Sequence, residues 1–363
     1  MVLAWHLTAT WPHDISPAFR FLSVIKEGHT GVSLFCVISG FILTTIYAHR
    51  EPNFAAFYKN RFLRIAPLFI FVVLLTYYVS GWDAGAMLTT VLTGLSRGGL
   101  PSYAGPGWTV LVECQFYLLF PFLIIFIKRY GAKYLVGLLL VFILTKAAVW
   151  TADGTANLLA YYSIFGRMDQ FLIGMLAALA LSSPKILRFI SRNSAAIFAS
   201  GVAVATSFFW WFHQNGGLLN FDGEPWPSHS AIWIIIPSIE GVAYVLIVIG
   251  YLHLKPLPYT AQLSQGFAYV GRVSYSMYLI HLLMLPTIAR AVAALHLTPS
   301  SWEQGLLVTA FVALPILVAA STLTYYLIEL PFMQLRPAAS REPGQSNIVT
   351  IDRHTDGPSK LAG

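Results

Sequence analysis

The apolar positions of this chain fall into long runs separated by short polar segments. At about 20 apolar residues per bilayer crossing, nine runs qualify, near 30–49, 63–81, 108–127, 134–151, 163–181, 194–212, 231–252, 269–291 and 304–328. The pattern predicts an all-α fold, a polytopic transmembrane helical bundle of nine full spans. A tenth apolar stretch, 1–11 (MVLAWHLTATW), is too short to span and has neither the basic flank nor the small-residue cleavage site of a signal peptide. It reads as the second half of a helix, so that the bundle has nine full spans plus a truncated first helix. The segment 82–102, containing AGAMLTTVLTGL, is apolar but short and reads as a re-entrant or interfacial helix without a legible role.

Composition agrees. The 363 residues are 57% hydrophobic and 10% charged, against about a quarter charged in a soluble domain. The net charge of +7 is read first as a record of topology, not of nucleic-acid binding. Alternate loops hold Arg50, Lys59, Arg61 and Arg64; Lys128, Arg129 and Lys133; Lys185, Arg188 and Arg192; and Lys255. The intervening loops hold little beyond Arg20, Lys26 and Arg97, with Arg290 at a helix end, and one is acidic through Asp222 and Glu224. The positive-inside rule then puts the basic loops and the C-terminus in the cytoplasm. Residues 1–335 form one membrane domain, and 336–363, rich in Pro, Ser, Gly and charge, read as a disordered cytoplasmic tail. Lys146, Arg167 and Arg272 remain within spans, and Lys146 and Arg272 are near enough to an end to snorkel. The two cysteines, Cys36 and Cys114, have no partner spacing, so neither a disulfide framework nor a metal site is expected.

Several polar residues stand out against this background. Glu113 lies inside GPGWTVLVECQFYLLFP, and a carboxylate in hydrocarbon costs roughly 2.5–3.5 kcal/mol. It should face a polar cavity and have a partner, either as a functional group or as a structural carboxylate bonded to a neighbouring helix. His6 is placed to act as a general base or to be satisfied by a backbone carbonyl. Arg61 and Arg64, three apart in FYKNRFLRIAPLF, share a helical face. They suit phosphate recognition at the cytoplasmic mouth or serve as topological anchors. In GRMDQFLIGMLAAL, Arg167 and Asp169 start a span, where either charge can lie at the headgroup level, and Gly174 permits close helix packing. In VGRVSYSMYLIHLLML, Ser274, Tyr278 and His281 line one face, which lines a cavity or glues helices. Glu329 in STLTYYLIELPF closes the last span and is expected to pair with a basic loop.

Taken in order, these segments resemble the acyltransferase 3 family of integral membrane O-acyltransferases, which decorate bacterial polysaccharides and other acceptors. The resemblance rests on HTGVSLFCVISGFIL, FYKNRFLRIAP, WTVLVECQFYLLFP, RMDQFLIGMLAA and SYSMYLIH followed by IELPF, and it covers nearly the whole chain, from His6 to Pro331. It implies a multi-pass enzyme of the inner (plasma) membrane that moves an acyl group, usually acetyl, from acyl-CoA to a hydroxyl of a glycan or similar acceptor at the other face. No permanently bound cofactor and no nucleic-acid partner are implied. By position, His6 matches the catalytic base and Arg61 and Arg64 the arginine pair on the acyl-CoA side. Glu113 is assigned to catalysis as a candidate partner of His6, the alternative partner being an arginine upstream of it, while Tyr117, Arg167, Ser274 and His281 match motif positions that line the cavity.

Two departures stand out. The family carries an arginine about ten residues before the first-helix histidine, a position that here would precede Met1. Cys114 stands where a second acidic or polar residue is common. A transporter or flippase for a glycan or lipid intermediate, with polar groups at mid-membrane, is the alternative, and a non-catalytic membrane partner of a polysaccharide-synthesis complex is a third reading.

Overall fold

The computed structural model describes residues 1–10, 22–50, 53–80, 107–218, 220–223, 226–255 and 261–336. The expected interfacial segment at 82–102 and the expected tail after Arg336 lie outside the described residues. Among those residues there is no strand, and nine helices are long and apolar enough to cross a membrane. The protein is thus the all-α polytopic bundle that its apolar pattern predicts.

The helices in chain order are α1 (Val2–Thr10), α2 (Gly31–Tyr47), α3 (Phe54–Ser80), α4 (Gly107–Tyr130), α5 (Ala132–Asp153), the short α6 (Asn157–Tyr162), α7 (Ile164–Leu181), the surface α8 (Pro184–Arg192), α9 (Ser194–Gln214), α10 (Ile236–His253), α11 (Ala261–Arg272), α12 (Ser274–Ala294) and α13 (Trp302–Gln334). With nine residues, α1 is about 13 Å long and cannot cross alone. Three limits differ from expectation for local reasons. The polar run Tyr58–Arg61 extends α3 back to Phe54. The span expected at 269–291 is broken at Val273 (φ −92°, ψ 6°), which separates α11 from α12. The last span, expected at 304–328, runs on to Gln334 and contains two π-helical turns, Thr309–Ala313 and Tyr325–Glu329.

The centre of the bundle is α2 packed on α7, the most extensive helix pair. Gly40 allows it: a Cβ there would run into the carbonyl of Phe171, and one at Gly174 into the backbone of Val37 and Phe41. Small residues set such close approaches in membranes, where apolar burial does not itself favour helix association. Phe116 of α4 stacks on Phe171 at a centroid separation of 4.0 Å and adds the third helix of this core.

Cross-links between loops define two ends. At the basic end Lys128 donates to the carbonyl of Arg50 (2.6 Å), and Ser182 lies 3.4 Å from His49. At the opposite end Trp150 donates to the carbonyl of His229 (2.8 Å), whose ring is 3.1 Å from the carbonyl of Gly154. The segments that share charge in the sequence therefore share an end in space. One expectation is corrected. Lys146 does not snorkel: it is fully buried and pairs with Asp169, whereas Arg272 is exposed.

Candidate functional site

Among the described residues, two clusters of polar groups lie at different depths inside the bundle, and α2 touches both. Ser33 reaches the centre at the end opposite the basic loops, and Ser39 the centre nearer to them. Six residues at 1.5 Å rise set these two serines about 9 Å apart along the axis.

The first centre is built around Arg167. Ser163 caps α7 by accepting from the amide of Gly166 (3.2 Å), which sets Arg167 in the first turn. Its Nε donates to the carbonyl of Tyr161 (2.8 Å) and its Nη1 to Ser33 Oγ (2.8 Å), while Nη1 lies 3.6 Å from Glu240 Oε2. Ser33 in turn donates to Glu240 (2.6 Å), as does Gln170 (2.9 Å). The guanidinium also lies over the rings of Tyr161 (4.6 Å) and Trp108 (5.7 Å). Arg167 and Glu240 are both buried, so this is a satisfied internal ion pair and not a headgroup contact. A cavity of about 10 Å3, bordered by Arg167, Glu240, His29, Tyr161, Phe212 and Trp233, has room for roughly one water.

Aromatic and histidine rings lead from Arg167 to His6. His29 lies 5.6 Å from Tyr161 and 5.6 Å from Trp5, and the His6 ring is 4.5 Å from Trp5 and 5.0 Å from His281. Packing of Leu7 with Ile288, Val292 and Val308 holds α1 against α12 and α13 and so fixes His6 beside His281. Just before the first long span, Glu27 accepts from His29 (3.1 Å) and His213 (3.1 Å). Burial pushes its carboxyl up, but the hydrogen bonds from His213 and His29 outweigh burial and hold it down at about 2.

The second centre contains Glu113, which accepts from Tyr117 and, at 3.4 Å, from Ser39. The Arg61 guanidinium lies 5.7 Å from the Tyr117 ring and 5.7 Å from that of Phe57. Arg64 turns toward α13 instead and donates to Met333 Sδ at 3.7 Å. The arginine pair is therefore split between α4 and α13, although both side chains remain partly exposed at the basic end.

Three site expectations differ from the geometry. The pairing of His6 with Glu113 is not among the described contacts: Glu113 is taken up by Tyr117 and Ser39, and His6 neighbours His281. Ser274 is exposed and donates to the carbonyl of Gly271 in its own turn (2.7 Å). The buried serine is Ser276, which donates to Glu329. That contact also replaces the loop partner expected for Glu329. Tyr278 and His281 do face inward, and Tyr278 accepts from Thr109 at 2.7 Å.

Sequence reasoning passed over Glu240, Ser33, Ser39 and the Lys146–Asp169 pair. Glu240 carried a legible signal, because it is a carboxylate inside an apolar span just as Glu113 is. The serines carried none, since a hydroxyl in a helix bonds as readily to its own backbone. Among the described residues, no cluster of three or more His, Cys, Asp or Glu side chains is arranged to hold a metal ion.

The fold and its two centres can be set beside known proteins. No solved structure matches the chain. Peptidoglycan O-acetyltransferase OatA of Listeria monocytogenes is 23% identical over 345 residues, covering 85% of this chain and 51% of that protein. O-acetyltransferase OatA of Staphylococcus aureus (strain NCTC 8325 / PS 47) is 24% identical over 326 residues, covering 77% of this chain and 47% of its own length. The chain thus spans about half the length of the curated acetyltransferases it matches. The family described as an acyltransferase domain matches residues 1–326, nearly the whole of the membrane bundle, and this multi-pass membrane protein belongs to that acyltransferase family.

Proposed function

We propose that the chain is a membrane O-acyltransferase that moves an acetyl group from acetyl-CoA, bound at the basic end, to a hydroxyl of a glycan at the opposite end. The observation that carries this reading is the pair of polar centres at different depths of one bundle, with partly exposed arginines at one and histidines at the other. A transfer across a bilayer needs such an arrangement, because the phosphorylated donor is cytoplasmic and a cell-wall glycan is not. The basic end is the cytoplasmic one, so the C-terminus lies in the cytoplasm of a bacterial inner membrane.

Acyl transfer from a thioester to an alcohol requires a base within hydrogen-bond reach of the attacking hydroxyl and donors for the developing oxyanion. In this reading His6 is the base. Arg61 and Arg64 bind the phosphates of the donor, and their split directions let them grip a long ligand at two points rather than clamp one phosphate. Glu113 accepts from the Tyr117 phenol and the Ser39 hydroxyl and so holds both in place at the centre nearer the basic end. Arg167 fixes the outer end through Ser33 and Glu240. The acetyltransferases matched above support the acetyl group and the glycan acceptor.

Turnover of acetyl-CoA by the purified full chain with a peptidoglycan fragment tests the assignment. Arg61→Gln with Arg64→Gln should raise KM for acetyl-CoA by tenfold or more with membrane insertion retained. Unchanged donor KM in an active protein returns both arginines to topological anchoring.

A further inference from the structure

His281, like His29, has one ring nitrogen committed and the other idle, but its committed partner is a carbonyl, not a carboxylate. Its Nδ1 lies 2.6 Å from the carbonyl of Tyr278 in the preceding turn. A carbonyl only accepts, so Nδ1 carries the proton and Nε2 keeps its lone pair. That Nε2 is buried and has no hydrogen-bond partner, on a residue that is 1% exposed. Buried polar atoms are normally satisfied, so an idle acceptor of fixed tautomer invites a use. The ring of His6 lies 5.0 Å away, tilted by 42°, and at this separation a modest ring rotation or one intervening water connects the two imidazoles.

We propose that His281 is the proton-accepting partner of His6, so that the base of this enzyme is a pair of histidines contributed by α1 and α12. The proposal rests on the acyltransferase reading above. In the step it serves, the acceptor hydroxyl oxygen bonds to the acyl carbon of the thioester and the carbon–sulfur bond breaks. The hydroxyl proton passes to His6, and a proton on the other nitrogen of His6 passes to Nε2 of His281. The pair then gives one proton back to protonate the leaving thiolate, so the products are an ester and a thiol. His281 never meets the acceptor. Its role is to share the proton with His6, so that the charge formed within a dry site is spread over two imidazoles and not held on one. The same pairing fixes the tautomer and orientation of His6, which otherwise has only ring contacts with Trp5 and His281 in the described structure. The other ionisable groups that face the pair are His29 and Glu27 from the segment before α2, His213 of α9 through Glu27, Tyr278 of α12 and the amino group of Met1.

His281→Asn separates the two nitrogens, since its amide can still donate to the Tyr278 carbonyl but offers no base at Nε2. In the full chain in nanodiscs, with acetyl-CoA and a peptidoglycan fragment as substrates, we expect kcat to fall tenfold or more with both KM values within twofold. Added imidazole should restore part of the turnover of His281→Ala. A readout without turnover comes from nitrogen-15 NMR of labelled histidines, in which His281→Asn should shift the titration of His6. If kcat stays within twofold of the native value, or if the His6 titration is unmoved, the pairing is overturned. If the native chain turns over no acyl-CoA, the acyltransferase reading fails while the titration still decides whether the two histidines are coupled.

Discussion

Lys146 of α5 and Asp169 of α7 form an ion pair at 2.5 Å in which neither side chain has any exposure. Ser238, just inside α10, donates to the same carboxylate, so one buried anion ties three helices together. For α5 this tie is central, because most of its surface is apolar and faces outward, with only Leu135 and Lys146 fully buried along its length.

Removal of one partner leaves an uncompensated buried charge, which costs about 3–5 kcal/mol. Lys146→Met and Asp169→Leu should therefore each lower the thermal unfolding temperature of the purified chain substantially. The double replacement should recover much of the loss, since an apolar pair is compatible with the site. A double variant no more stable than either single one would show that the pair is not coupled.

Glu27 sets a pH window. Its folded carboxyl sits at about 2, below the ordinary 4.5. Its contribution to stability is therefore complete above the ordinary value and is lost as pH falls through the interval between the two. Thermal unfolding scans should show the native chain losing stability as pH drops from about 4.5 toward 2. Glu27→Gln should be less stable at neutral pH and lose less across that interval. An identical acid response in the two proteins would remove the His29–Glu27–His213 clamp from the account.

The α2–α7 approach predicts a strong response to volume at its two glycines. A side chain at Gly40 or Gly174 meets the backbone of the facing helix, not the flexible end of a side chain, and so the helices must move apart. Gly174→Leu should abolish folding or lower the unfolding temperature sharply, and Gly174→Ala should do so less. Gly137, which has open space around a Cβ, should accept leucine with little change. Equal effects at Gly174 and Gly137 would contradict the packing described.

Apolar length and loop charge made the bundle legible in the sequence, because a bilayer imposes both regardless of tertiary detail. The limits that were missed, at Val273 and in the π-helical turns of α13, depend on backbone adjustments that leave the hydropathy unchanged. Single-residue signals singled out His6, Arg167, Tyr278 and His281 as candidates, but they could not say which polar groups meet. Periodicity placed Ser274 on the face of Tyr278, yet it is Ser276 that is buried. Glu113 read as a partner for His6, although the helix repeat sets Tyr117 one turn away from it and supplies a nearer donor. Arg61 and Arg64 share a face by spacing, but which neighbour each long side chain reaches depends on α4 and α13, which are distant in sequence. Pairings of this kind are tertiary facts, and one sequence does not contain them in readable form.

The central claim, transfer across the membrane by a histidine base, is tested most directly in sealed proteoliposomes. Protein molecules with the basic end inside would be supplied with radiolabelled acetyl-CoA in the lumen and a peptidoglycan fragment outside. The account predicts labelled ester on the external glycan, dependent on luminal donor, with His6→Ala lowering kcat about a hundredfold or more, the scale of general-base loss. Label transfer at native rates by His6→Ala, or transfer that requires donor and glycan on the same side, would contradict it.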